Sequence, residues 1–166
     1  MFKPWIENIS LDAVRKGEHY DAGDNSMLIQ IVDPGTEFPK PKFAFKDVRQ
    51  FFFLDVEDDD REKIYYCAAI TDADAEGIAN ALTHAYKHHM NVVVHCHMGV
   101  CRSGAVAEVG VMMGFIDTDK FRQPNLMVKH KVLKQLGMGY DADEKPISNQ
   151  TAYDMDCEYS NSKFLK

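Results

Sequence analysis

The 166-residue chain predicts an α/β fold, a single domain with a central, mainly parallel sheet flanked by helices. Three observations carry that expectation. Short runs rich in Val, Ile and Phe, at 27–32, 49–54 and 91–95, read as strands. Segments with apolar residues at helical spacing alternate with them. No internal repeat or shift in composition divides the chain, and its length suits one domain, here taken as 1–166.

Taken in order, residues 1–26 are polar and mixed and read as a terminal extension. Within it Ser10 can cap a short helix through Lys16, with Gly17 as its stop. Met27 to Val32 is a strand closed by the turn residues Asp33-Pro34-Gly35. Pro39 and Pro41 keep the next segment irregular. Arg49 to Leu54, with Phe51, Phe52 and Phe53 in a row, predicts a strand buried on both faces. The acidic stretch from Asp55 to Asp60 cannot continue it.

Thr71-Asp72-Ala73-Asp74 resembles a capping box, and Ile78, Leu82, Ala85, Tyr86 and His89 then recur at helical spacing. Asn91-Val92-Val93-Val94 is a strand running into His95. The apolar, small-residue stretch from Ala105 to Ile116 predicts a helix over 103–116. Pro124-Asn125 opens a last helix with Val128, Val132, Leu133 and Leu136 on one face and Gly137 as its stop. Residues 140–166 are polar and acidic, a second terminal extension that is either a tail or a surface cover.

Hydrophobic content of 45% and charged content of 27% are those of a soluble globular protein. A net charge of −7 does not point to a nucleic-acid-binding surface. The N-terminus has no apolar signal-like region and no apolar run is long enough to span a membrane. Cys67, Cys96, Cys101 and Cys157 lack the spacing of a disulfide framework, so a reducing cytoplasm is expected.

The chemistry concentrates in His95-Cys96-His97-Met98-Gly99-Val100-Cys101-Arg102-Ser103-Gly104. Between a strand and a helix, such a loop can turn its backbone N–H groups inward around one anion, at the positive end of the following helix. His97, Met98, Gly99, Val100 and Cys101 then supply the cradle, and Cys96 lies at its base. Thiols in such electropositive settings ionise well below about 8.5, which makes them nucleophiles. Arg102 adds a planar charged fork matched to two phosphate oxygens. Ser103 can donate to the sulfur and help it leave, or cap the helix. His95 supports the Cys96 backbone, or is a core histidine. The expected substrate is a phosphorylated protein or a small phosphomonoester, and the chemistry needs no cofactor and no metal.

Cys, five residues, Arg, Ser, with His before the Cys and Gly three after it, resembles the active-site loop of the cysteine-dependent protein phosphatases. The pieces MLIQIVDPG (27–35), RQFFFLDVED (49–58), HCHMGVCRSG and PNLMVKHKVLKQLG (124–137) follow the order seen in a bacterial and phage-type group of dual-specificity-like phosphatases. The resemblance implies hydrolysis through a phosphocysteine on Cys96, with Arg102 on the equatorial oxygens. It also implies a general acid on the loop after the Phe-rich strand: Asp55 by the match to that group, with Asp58, Asp59 and Asp60 as alternatives. Cys101, just before the Arg, is shared with low-molecular-weight phosphatases, where the second Cys can bridge the first reversibly. The Cys96–Cys101 pair carries the same expectation.

Three other readings compete. His84 and His88, four apart on a helix, with His95, Cys96, His97 and Cys101, offer zinc-type ligands. A rhodanese-type sulfurtransferase also uses a Cys in an anion-binding loop. A phosphatase-like binding module would recognise phosphate without turnover.

Overall fold

The computed structural model describes residues 2–57 and 68–138. Five strands form one sheet in the order β3-β2-β4-β1-β5, and every pairing is parallel. The strands are β1 (Trp5–Ser10), β2 (Ser26–Val32), β3 (Asp47–Phe52), β4 (Asn91–Cys96) and β5 (Ile116–Asp117). The helices are α1 (Leu11–Lys16), α2 (Asp72–Lys87), α3 (Arg102–Met113) and α4 (Leu126–Gln135). The expected α/β domain is thus present, with a sheet that is wholly rather than mainly parallel.

Local chemistry sets most boundaries where the sequence put them. Ser10 accepts from the Ala13 N–H at the start of α1, and Gly17, at φ 72°, ends it in the left-handed conformation. Thr71 and Asp74 form a complete capping box on α2. Asn125 caps α4 by accepting from the Val128 N–H at 3.0 Å.

Three expectations need correction. Residues 1–26 are not a polar extension: β1 lies between β4 and β5, and Ile6 and Ile9 join the core. Its pattern is masked by two buried polar residues. Glu7 accepts from the Tyr20 N–H and pairs with Lys120, while Asn8 donates to the carbonyls of Gly99 and Phe121. Second, β3 is an edge strand, not one buried on both faces. Phe51 packs on Gly77 and Phe52 is 61% exposed, whereas Phe53, just past the strand, is the buried member of the trio. Third, α3 stops at Met113. Gly114 (φ 122°) turns the chain, and the Ile116 N–H donates to the Pro4 carbonyl so that β5 joins β1.

The main core lies between one face of the sheet and α2, α3 and α4. Ile6, Met27, Ile29, Ile31, Val92 and Val94 meet Ile78, Leu82, Val106, Val109, Val128 and Val132 there. A smaller cluster, Ile9, Val14, Ala22, Leu28 and Val93, lies under α1 on the other face. No described helix is long and apolar enough to cross a membrane. The carboxyl ends of β2 and β4 are neighbours, and the connections that leave them run to opposite sides of the sheet. In parallel sheets such a point opens a crevice for ligands.

The α2 capping box joins two otherwise orphaned N–H groups, so Thr71→Ala should lower the unfolding free energy by about 1 kcal/mol. The urea midpoint of the variant against the native chain measures it.

Candidate active site

β4 ends at Cys96, whose side chain falls on the helix-covered face with Val92 and Val94. The loop 97–101 then returns the chain into α3. Its shape is imposed by β1. Gly99, at φ 78°, lies against the backbone of Ile9 and Ser10 so closely that a Cβ would overlap both. Asn8 donates to the Gly99 carbonyl at 2.8 Å, and the Leu11 N–H donates to the His97 carbonyl at 3.1 Å. The Gln123 and Asn125 N–H groups donate to the carbonyls of Val100 and Cys101 on the other side.

With its carbonyls tied outward, the loop leaves N–H groups for the interior. The Gly99 N–H donates to the Cys96 sulfur at 3.3 Å. The N–H groups of Met98, Val100 and Cys101 donate to no atom of the described residues. Cys101 is the N-cap of α3 but makes no side-chain cap, and no acidic residue occupies the helix's first turn. Ser103 Oγ is 3.2 Å from the Cys96 sulfur, so its hydroxyl meets the thiol and does not cap the helix. His97 and Met98 stand exposed at the mouth.

Arg102 is 5% exposed. Its Nη1 donates to Asp33 Oδ1 and to the Phe53 carbonyl, each at 2.7 Å, which commits both hydrogens of that nitrogen. These partners lie at the ends of β2 and β3. Nε is buried and has no partner among the described residues. The Nε–Nη2 edge, the one that forks two oxygens, is therefore the edge left open. A buried donor without an acceptor costs about 1–3 kcal/mol, which an anion at this edge would recover.

Asp55 follows β3 and is exposed. Its Oδ1 accepts from Asn125 Nδ2 at 2.7 Å, and its carboxylate adjoins Cys101. Burial, then the charge and hydrogen bonding of Asp55, then the charges of Cys96 and Glu57, push the Cys101 thiol up to about 11. Cys96 and Cys101 are both free thiols. Asp58, Asp59 and Asp60 lie outside the described residues, as do Cys67, Cys157 and residues 140–166.

His95 points to the opposite face of the sheet from Cys96. Against the Cys96 carbonyl, 3.2 Å away, its Nδ1 must donate, leaving Nε2 buried without a partner among the described residues. Burial holds this imidazole down at about 4. The zinc-type grouping does not assemble. His84 and His88 stack on each other, with ring centroids 4.2 Å apart, and His84 Nε2 is 3.9 Å from Asp47 at the start of β3. That is the amino end of the strands, whereas Cys96 lies at the carboxyl end of β4. Among the described residues no three His, Cys, Asp or Glu side chains could hold a metal.

Sequence reasoning missed Asp33, Asn8 and the side-chain role of Asn125. Asp33 reads in sequence only as a turn residue and Asn125 only as a helix opener. No protein-family model matches the chain, and no curated protein matches it.

Two outcomes follow from this geometry. Gly99→Ala should lose about 3 kcal/mol or more, since the new methyl group meets backbone at a left-handed position. Chemical denaturation reads this directly. The unfolded chain also binds a proton on His95 near pH 6.5 while the folded one resists it to about 4. Stability should therefore fall as pH drops through that window. Measured from pH 7 to 4, the slope should shrink in His95→Asn.

Proposed function

We propose that the protein is a phosphatase of the protein-tyrosine/dual-specificity type. It would hydrolyse phosphomonoesters, phosphotyrosine first and phosphoserine or phosphothreonine within its reach, through a phosphocysteine on Cys96. The observation that carries the reading is the guanidinium of Arg102. It is buried and oriented, its Nε without a partner among the described residues, in the same short loop as a thiol that meets a backbone N–H and a serine hydroxyl. That set of donors calls for a tetrahedral oxyanion next to a sulfur.

In the first step the Cys96 sulfur attacks phosphorus, an S–P bond forms, and the P–O ester bond breaks. Its electron pair goes to the leaving oxygen, which takes a proton from Asp55. Charge spreads over the three equatorial oxygens as this happens. The open edge of Arg102 and the free loop N–H groups meet that charge without having to reorganise. In the second step water attacks phosphorus and gives its proton to Asp55. The S–P electron pair returns to sulfur, where the hydrogen bond from Ser103 stabilises the departing anion.

The test is turnover of an aryl phosphate. Cys96→Ser should abolish it, and Arg102→Ala should lower kcat/KM by about 10²–10³-fold. Release of phosphate by Cys96→Ser at the native rate would refute the reading.

A further inference from the structure

We infer that Asn125 is a positioning residue for the proton donor, fixing Asp55 in the orientation that protonates the leaving group. The inference rests on the phosphatase reading above and assigns a side chain that the reading does not use. Asn125 has no exposed surface and every polar group it carries is engaged. Its main-chain N–H donates to the Cys101 carbonyl at 3.0 Å, and its carbonyl accepts from Lys129 at 3.0 Å. Its Oδ1 caps α4 through the Val128 N–H. Its Nδ2 donates to Asp55 Oδ1 at 2.7 Å and to the Val56 carbonyl at 3.0 Å. One residue thus ties together the anion loop, the acid loop and α4.

Capping does not account for this arrangement. A cap needs one acceptor, which Ser, Thr or Asp supplies as well as Asn. Only the amide also carries donors, and both are spent on the two residues of the acid loop. Asp55 is otherwise exposed, and a free carboxylate side chain there would lose orientation to rotamer freedom. The tether binds it through one oxygen only.

That choice of oxygen has a chemical consequence. An amide N–H can only donate, so Oδ1 must present a lone pair to it. A carbonyl oxygen accepts better than a hydroxyl oxygen, so the neutral acid places its proton on Oδ2. As the P–O bond breaks, the leaving oxygen takes the electron pair and the Oδ2 proton, and Asp55 is left as a carboxylate. Its charge meets a hydrogen bond already in place. When water attacks the phosphocysteine, its proton goes back to Oδ2 while the S–P electron pair returns to Cys96.

The experiment compares a fluorinated methylumbelliferyl phosphate, p-nitrophenyl phosphate and phenyl phosphate, in order of increasingly poor leaving groups. The enzymes are the native chain, Asp55→Asn, Asn125→Ser, Asn125→Asp and Cys96→Ser. Both Asn125 substitutions keep an acceptor for the cap and remove the amide donor. The isosteric Asn125→Asp also reports if Asn125→Ser fails to fold. The kcat loss at Asn125 should rise from about threefold on the best leaving group to about a hundredfold on phenyl phosphate. It should parallel Asp55→Asn, with KM little changed. A loss equal on all three esters, or one confined to KM, overturns the inference and leaves Asn125 a packing residue. If Asp55→Asn shows no leaving-group dependence while Cys96→Ser is inactive, the acid is elsewhere and the inference falls alone. If Cys96→Ser still turns over, the phosphatase reading falls and takes the inference with it.

Discussion

The structure turns on how one guanidinium is buried. A charged group taken out of water is costly unless paired and hydrogen-bonded. Among the described residues Arg102 is satisfied on one nitrogen, by the half-exposed Asp33 and the Phe53 carbonyl. Both acceptors lie on Nη1, so neither occupies the Nε–Nη2 edge. A carboxylate placed to block an anion would sit on that edge; Asp33 instead fixes the plane from behind. The ends of β2 and β3 therefore act together as a bracket. The sheet order that brings β2 next to β4 is what puts the bracket within reach of the loop after β4.

The loop faces a second constraint, because inward N–H groups require carbonyls that find partners elsewhere. β1 supplies them. Asn8, a polar residue in the core, takes up the Gly99 and Phe121 carbonyls, and Leu11 takes up that of His97. The strand that looked least like a strand is thus one that shapes the loop after β4. Asn8 belongs to that task, whereas Glu7 at the neighbouring position accepts from the Tyr20 N–H and pairs with Lys120. Local consistency is given up where the site needs it.

This explains which parts were legible in the sequence. Caps at Ser10, Thr71 and Asn125 are local, since donor and acceptor lie within a few residues. The Cys96-to-Ser103 loop is equally local. Arg102 meets Asp33 across 69 positions and Phe53 across 49, Asn8 meets Gly99 across 91, and Asn125 meets Asp55 across 70. No periodicity reports such pairs. The error at β3 is of another kind. Three consecutive Phe residues carry no alternation, and only its place at the sheet edge decides that Phe52 faces water. β1 was hidden because Glu7 and Asn8 break the apolar pattern a strand of the core would show.

Two thiols in the same loop show how far environment outweighs residue type. Cys96 receives a hydrogen bond from the Gly99 N–H, meets the Ser103 hydroxyl, and lies before the uncapped start of α3. Cys101 is partly buried beside the Asp55 carboxylate, and both burial and that charge oppose ionisation, up to about 11. The hydrogen bond from Asn125 to Asp55 holds that carboxylate beside Cys101. Between the two thiols the backbone turns at Gly99, which lies too close to the backbone of Ile9 and Ser10 for any side chain.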